Sequence, residues 1–166
     1  MITIIAGTNR KDSNTKKVAK VYHEILSKKK ITCQLLSLDE VNVFERNNDF
    51  EMMENAFLKK ADMFIFIVPE YHGSYPGIFK LMLDNSDAAN VWTNKKVLLT
   101  GVSSGRAGNL RGLEHLTGTA LHLKMIVHPN RLPISVVHTL VNSNNKIDDK
   151  NTLAVIEKQL EEFLLF

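Results

Sequence analysis

Ile2-Thr3-Ile4-Ile5-Ala6 runs straight into Gly7-Thr8-Asn9-Arg10-Lys11-Asp12-Ser13-Asn14-Thr15, and the reading of the whole chain turns on this junction. The first run is apolar almost without a break, the pattern of a central parallel strand covered on both faces. From residue 14 to 29, Val18, Val21, Tyr22, Ile25 and Leu26 recur at spacings of three and four, with Lys16, Lys17, Lys20 and Glu24 opposite them. A helix is expected there, capped by Ser13 or Asn14. The first turn of a helix leaves main-chain N–H groups without partners and carries the positive end of the helix dipole, so strand, polar loop and helix start together make an anion site. Thr8, Ser13 and Thr15 offer hydroxyls, Asn14 an amide, and Arg10 and Lys11 charge. The same arrangement also serves as an ordinary turn with a capped helix, and the rest of the chain has to decide between the two.

Further along, Ile31 to Leu38 mixes polar and apolar residues as an edge strand does. Asp39 to Phe50 has no clear period, and its Asn47-Asn48-Asp49 run could cap a short helix expected over 51–60, with Met52, Met53, Ala56 and Phe57 as its buried side. Asp62 to Val68 is the most apolar run and reads as a second central strand, ending in Pro69-Glu70-Tyr71-His72-Gly73-Ser74-Tyr75-Pro76-Gly77. A helix follows over 77–87, then Trp92 as a half-buried anchor. Lys96 to Val102 is another apolar strand and is again followed by small polar residues, Ser103-Ser104-Gly105-Arg106-Ala107-Gly108-Asn109. The helix expected over 108–123 places Leu110, Leu113, Leu116, Ala120 and Leu121 on one side, and its Gly112 and Gly118 suggest close packing. Residues 124–128 form a short strand, 130–149 an irregular stretch with an apolar centre, and 152–166 a final helix.

Strands alternating with helices predict an α/β fold: an open five-stranded parallel sheet with helices on both faces, in one domain over residues 1–166. The edge character of the second strand gives the order 2-1-3-4-5. In that order the connections of the first and third strands leave in opposite directions, which opens a ligand crevice at their carboxyl ends. The loops at Thr8–Thr15 and Pro69–Gly77 are its expected walls.

A net charge of +3, evenly scattered, argues against nucleic acid or a membrane surface as partner. The single cysteine, Cys33, excludes an internal disulfide and a cysteine zinc site and suits a reducing compartment; it is expected to be buried and inert. The opening apolar run is too short and lacks the basic start of a signal peptide, so the expected location is the cytoplasm.

Three of these stretches resemble the NADPH-dependent FMN reductase family, flavodoxin-like enzymes that reduce azo compounds, quinones or chromate. Gly7-Thr8-Asn9-Arg10 with Ser13-Asn14 is similar to the phosphate loop G-S-x-R-x-x-S-x-N. Pro69-Glu70-Tyr71 with Gly73-Ser74, then Pro76-Gly77-Ile78-Phe79-Lys80 and Asp84, resembles P-E-Y-N-x-S-x-P-G-x-L-K-N-x-x-D and is the most specific match. Gly101-Val102-Ser103-Ser104-Gly105-Arg106-Ala107-Gly108 is similar to the glycine-rich loop after the fourth strand. The resemblance runs from Met1 to about Pro129. It implies FMN as cofactor and NAD(P)H as co-substrate. Thr8, Asn9, Arg10, Ser13, Asn14 and Thr15 would then hold the phosphate, and Pro69, Glu70, Tyr71, His72 and Gly73 would border the flavin ring. Ser103, Ser104, Gly105 and Arg106 would close the other side. Thr8 stands where the family has serine, His72 where it has asparagine, and Leu81 where it often has asparagine.

The chain has no P-loop, no Gly-x-Gly-x-x-Gly after the first strand and no nucleophile elbow. A bound flavin needs none of these, because it carries the redox chemistry itself. No side chain is expected to be catalytic and no metal is expected. His72 reads as a pocket-lining residue, and Glu70 as a group that fixes its loop or a subunit contact. Arg10, Arg106 and Arg111 each have other roles open to them, so the sequence assigns no 2′-phosphate pocket. Two functions follow. One is an enzyme that passes hydride from NAD(P)H through FMN to a small-molecule acceptor (a flavin, quinone, azo compound or metal oxyanion) by a ping-pong route, as a homodimer or homotetramer. The other is a flavodoxin-like electron carrier that lacks NAD(P)H activity of its own.

Overall fold

In a computed structural model covering residues 1–166, the opening run forms β1 (Ile2–Ala6), paired in parallel with β2 (Cys33–Ser37) on one side and β3 (Met63–Pro69) on the other. Beyond β3 lies β4 (Lys96–Val102), followed by β5 (Ile126–Val127), which gives the order β2-β1-β3-β4-β5 expected from the sequence. The edge beyond β4 is shared. β5 pairs with Lys96 and Val97, and part of the expected irregular stretch instead forms β6 (Leu132–Ile134), parallel to Thr100–Val102. Pro133 removes one ladder donor, and an edge position tolerates that.

The helices are α1 (Asn14–Lys28), α2 (Asn48–Met53), α3 (Gly77–Asn85), α4 (Ala88–Val91), α5 (Leu110–His122) and α6 (Lys150–Leu165). No helix is long and apolar enough to cross a membrane. Strand alternation divides the interior between the two faces of the sheet. Phe64, Phe66 and Val68 of β3 point toward α2, α3 and α5, whereas Ile65 and Ile67 point toward α1 and α6. The first face is aromatic: Trp92 lies 4.8 Å from Phe64 and 5.8 Å from Phe66, and Phe66 lies 5.0 Å from Phe79 between ring centres. Trp92 is therefore fully buried rather than a half-buried anchor, and its indole N–H donates to Ser86 Oγ at 2.6 Å.

The helix expected over 51–60 differs most. Asn47 caps it by accepting from the Phe50 N–H at 3.0 Å, so it begins earlier, and its second half widens into a π-helical turn over Glu54–Leu58. The extra residue rotates the buried stripe. Phe50, Met53, Glu54 and Leu58 turn inward, while Met52 is 71% exposed and Ala56 lies at the surface. The buried Glu54 carboxylate accepts two bonds from Arg46, at 3.1 and 3.0 Å, and one from the Asp87 N–H at 2.6 Å. Burial alone would raise its pKa, but these bonds outweigh it and hold the group below the usual glutamate range.

On α5, Leu113, Leu116 and Ala120 are buried as expected, but Leu110 and Leu121 are 53% and 58% exposed. Gly112 packs against the Asn109 side chain, whereas Gly118 faces open space. Cys33 is half-buried near the sheet edge rather than enclosed.

Candidate active site

Gly7 brings the first loop across the sheet end. Its N–H donates to the Ile67 carbonyl at 2.8 Å, and a Cβ there would stand 2.7 Å from Phe79 and 2.8 Å from Val68. Thr8 is buried, with its hydroxyl 2.6 Å from the Tyr71 hydroxyl and accepting from the Arg10 N–H at 3.3 Å. Ser13 Oγ accepts from the Lys16 N–H at 3.1 Å, as a helix cap does. The main-chain N–H groups of Asn9, Lys11, Asp12, Ser13, Asn14 and Thr15 have no acceptor within the protein. Five consecutive unpaired donors at the start of a fifteen-residue helix, beside Arg10 and Lys11, make a receptor for an anion.

The second loop leaves β3 with the Glu70 N–H still bonded to the Val102 carbonyl at 3.0 Å. It then reverses in a tight turn closed at both ends, Tyr71 N–H to Ser74 O at 2.9 Å and Ser74 N–H to Tyr71 O at 3.1 Å. His72 and Gly73, at φ 52° and 76°, are its central residues, the type I′ pattern that favours asparagine followed by glycine. The helix α5 holds this turn through Ser74 Oγ to His115 Nδ1 and Tyr75 OH to Thr119 Oγ1, both 3.0 Å. Tyr71 is fixed by the turn at its main chain and by Thr8 at its hydroxyl. The Arg10 guanidinium lies 4.1 Å above its ring.

The third loop is tied to the chain after β6. The Ser103 N–H reaches Ile134 O, Val136 N–H reaches Gly105 O and Val137 N–H reaches Ser103 O, each at 3.0 Å. Ser103 Oγ also donates to Gly105 O at 2.9 Å. Asn109, fully buried at φ 66°, starts α5 and donates from Nδ2 to the Val68 carbonyl at 3.1 Å, joining the third loop to the root of the second. Its Oδ1 is the one buried side-chain polar atom left without a partner.

These loops enclose a crevice of about 470 Å³ at the carboxyl ends of β1, β3 and β4. Of the residues that the family resemblance marks for the cofactor, Arg10, Ser13, Asn14, Thr15, Pro69, Glu70, Tyr71, His72, Ser103 and Ser104 line it, together with Lys11, Asp12, Val102 and Val137. Thr8 sits beneath the surface as the support for Tyr71. Asn9 faces a neighbouring hollow with Phe44, Ile78 and Leu81, and Gly73 lies against Arg111. Gly105 and Arg106 are exposed and stand outside the lining. Val137 was not anticipated, because 130–149 has no periodicity; only its apolar centre hinted at a packed segment.

The family model for NADPH-dependent FMN reductases matches residues 1–139. The chain belongs to that family. Among its relatives, a 2-hydroxy-1,4-benzoquinone reductase of a Burkholderia species is 23% identical over 98% of this chain and 93% of the other. An NADPH azoreductase of Bacillus sp. strain OY1-2 is 27% identical over 82% and 75%. In structure the fold is similar to a flavoenzyme NAD(P)H:(acceptor) oxidoreductase of Paracoccus denitrificans, at a TM-score of 0.82, 20% identity and coverage of 98% and 94%. It is also similar to an archaeal flavodoxin, at 0.67, 15%, 99% and 98%.

Membership makes the protein an oxidoreductase with FMN as cofactor and NAD(P)H as co-substrate. The residues present fit that cofactor. The unpaired N–H run and the Ser13 hydroxyl suit a phosphate, and the crevice falls within the roughly 300–1,000 Å³ usual for cofactor sites.

Proposed function

We propose that this chain is a single flavodoxin-like FMN-binding domain acting in the cytoplasm, and that it transfers reducing equivalents from NAD(P)H to a small acceptor by a ping-pong route. The run of unpaired N–H groups from Lys11 to Thr15, facing a crevice at the topological switch of the sheet, carries the proposal. Quinones and azo compounds are the favoured acceptor classes, since relatives are named as reductases of each.

FMN, when bound, supplies the hydride chemistry. The residues supply everything around it. The amides of residues 11–15, the Ser13 hydroxyl and Arg10 hold the phosphate. Pro69 to His72 border the ring, with Tyr71 locked by Thr8 and His72 at the rim. Ser103 and Ser104 close the opposite wall, braced by the chain at 134–137. Two carboxylates, Asp12 and Glu70, line the crevice on separate loops, and neither is hydrogen-bonded to a side chain it could activate, so in this reading the rate rests on close stacking and orientation rather than on a general acid or base. Anaerobic mixing of the FMN-loaded protein with NADPH or NADH tests this directly.

The functional unit in this reading is a homodimer or a homotetramer built from it, joined through α3 and α5. The support is apolar surface: Leu110 and Leu121 are more than half exposed on α5. Light scattering of the FMN-loaded protein at micromolar concentration should give a multiple of the 18.8 kDa chain mass; a monomer's mass would contradict it.

A further inference from the structure

A second cavity, of about 330 Å³, lies beside the crevice between the outer face of α1 and the chain at 144–147. Asp12 and Ser13 line both, so the two hollows meet at the anion-receptive loop. Four lysines line this cleft. Lys16 is committed elsewhere, with its ammonium 2.9 Å from Asp39 and 2.6 Å from Glu40. Lys20 and Lys146 form no ion pair or side-chain hydrogen bond, and Lys17 reaches only the Asn14 amide oxygen, at 3.1 Å. Glu24 lies four residues beyond Lys20, a spacing that permits a surface pair, yet none forms.

The opposite wall is built rather than loose. Val141 and Ile147 bridge in antiparallel fashion, and Asn142 N–H donates to Lys146 O at 2.8 Å. Asn142 Oδ1 accepts from the N–H groups of Asn144 and Lys146 at 2.9 and 3.0 Å. Val21 and Ile147 give the cleft an apolar floor. Unpaired ammonium groups, an apolar floor and asparagine amides are the complement of a phosphorylated purine nucleoside, and Glu24 offers an acceptor for ribose hydroxyls.

We propose that this cleft seats the phosphorylated adenosine end of a dinucleotide whose other end occupies the crevice, with Lys20 and Lys146 as its phosphate contacts. The proposal rests on the FMN-reductase reading for what fills the crevice. Two dinucleotides carry this group, FAD through its adenylate and NADPH through its 2′-phosphoadenosine.

Calorimetric titration of the flavin-free protein with adenosine 2′,5′-bisphosphate and with 5′-AMP tests the cleft without any flavin. The double variant Lys20→Gln/Lys146→Gln should bind the preferred nucleotide roughly a hundredfold more weakly, about tenfold per lysine. FMN affinity should be unchanged, and Lys28→Gln/Lys30→Gln, which removes equal charge at the other end of α1, should have no effect. Weaker FAD binding by the Lys20/Lys146 variant identifies the flavin dinucleotide, and a raised KM for NADPH with that for NADH unchanged identifies the nicotinamide one. Nucleotide binding that is absent in the wild type, or equal in wild type and variant, overturns the proposal. Failure of the wild type to bind FMN overturns the flavin reading instead.

Discussion

Ser13 has two duties in this account, and one pair of substitutions separates them. Its Oγ caps α1 by accepting from the Lys16 N–H at 3.1 Å, and its hydroxyl hydrogen remains free to donate to the flavin phosphate. Ser13→Ala removes both functions. Loss of the cap should cost about 1 kcal/mol of stability, and loss of a hydrogen bond to a charged group about 1.5–3 kcal/mol of binding, a ten- to hundredfold weaker FMN complex. Ser13→Asp keeps the cap, since a carboxylate accepts from the same N–H and suits the positive end of the helix. It also sets a negative charge roughly 4 Å from the phosphate, a repulsion of about 4 kcal/mol near a protein surface, or roughly a thousandfold in affinity. The two rankings therefore cross. In urea unfolding without flavin, the aspartate variant should equal or exceed the wild type, with the alanine variant lowest; in fluorescence titration with FMN, the wild type should bind best and the aspartate variant worst. Riboflavin, which lacks the phosphate, should bind weakly to all three and be indifferent to the added carboxylate. FMN bound equally well by wild type and Ser13→Asp, or FMN and riboflavin bound equally by the wild type, would refute the placement of the phosphate.

Other outcomes follow from the same structure. His72→Asn places at φ 52° a residue that tolerates that conformation better. It should leave a working enzyme with stability equal to or slightly above wild type in thermal melts, and loss of flavin reduction would show that the imidazole takes part in the chemistry. Glu54→Gln removes the charge that Arg46 grips and should cost about 2–3 kcal/mol in denaturant unfolding, a figure moderated because Arg46 is 37% exposed and regains water. Because the Glu54 pKa is depressed in the fold, its contribution is complete above the unfolded value of roughly 4.3 and fades as pH falls through the lower folded value. The gap between wild type and Glu54→Gln should thus be constant near neutrality and close in acid; a gap that widened in acid would contradict the sign.

The sheet order and the two principal loops were legible because β1, β3 and β4 are continuous apolar runs that end abruptly in small polar residues. Burial on both faces leaves little freedom in how such runs pair. Three features were not legible, each for its own reason. The π-helical turn at Glu54–Leu58 breaks the regular helical period, so residues chosen at that period, Met52 and Ala56, fall on the wrong face while a charged residue turns inward. β6 is three residues long with a proline at its centre, below the length at which alternation can be recognised. Its effect on the site is indirect: it brings Val137 to the crevice and braces Ser103 and Gly105 through main-chain bonds that side-chain identity does not announce. Thr8 could be read as a hydroxyl in the loop, but its role beneath Tyr71 depends on the loops after β1 and β3 lying side by side.

NAD(P)H alone should reduce the flavin held in this crevice. Anaerobic stopped-flow mixing of the FMN-loaded protein with NADPH, and separately with NADH, in the absence of any acceptor measures that step. The visible flavin absorption should be lost with at least one nucleotide and return when a quinone is added; flavin that stays oxidised with both would leave an electron carrier instead of an NAD(P)H-dependent reductase.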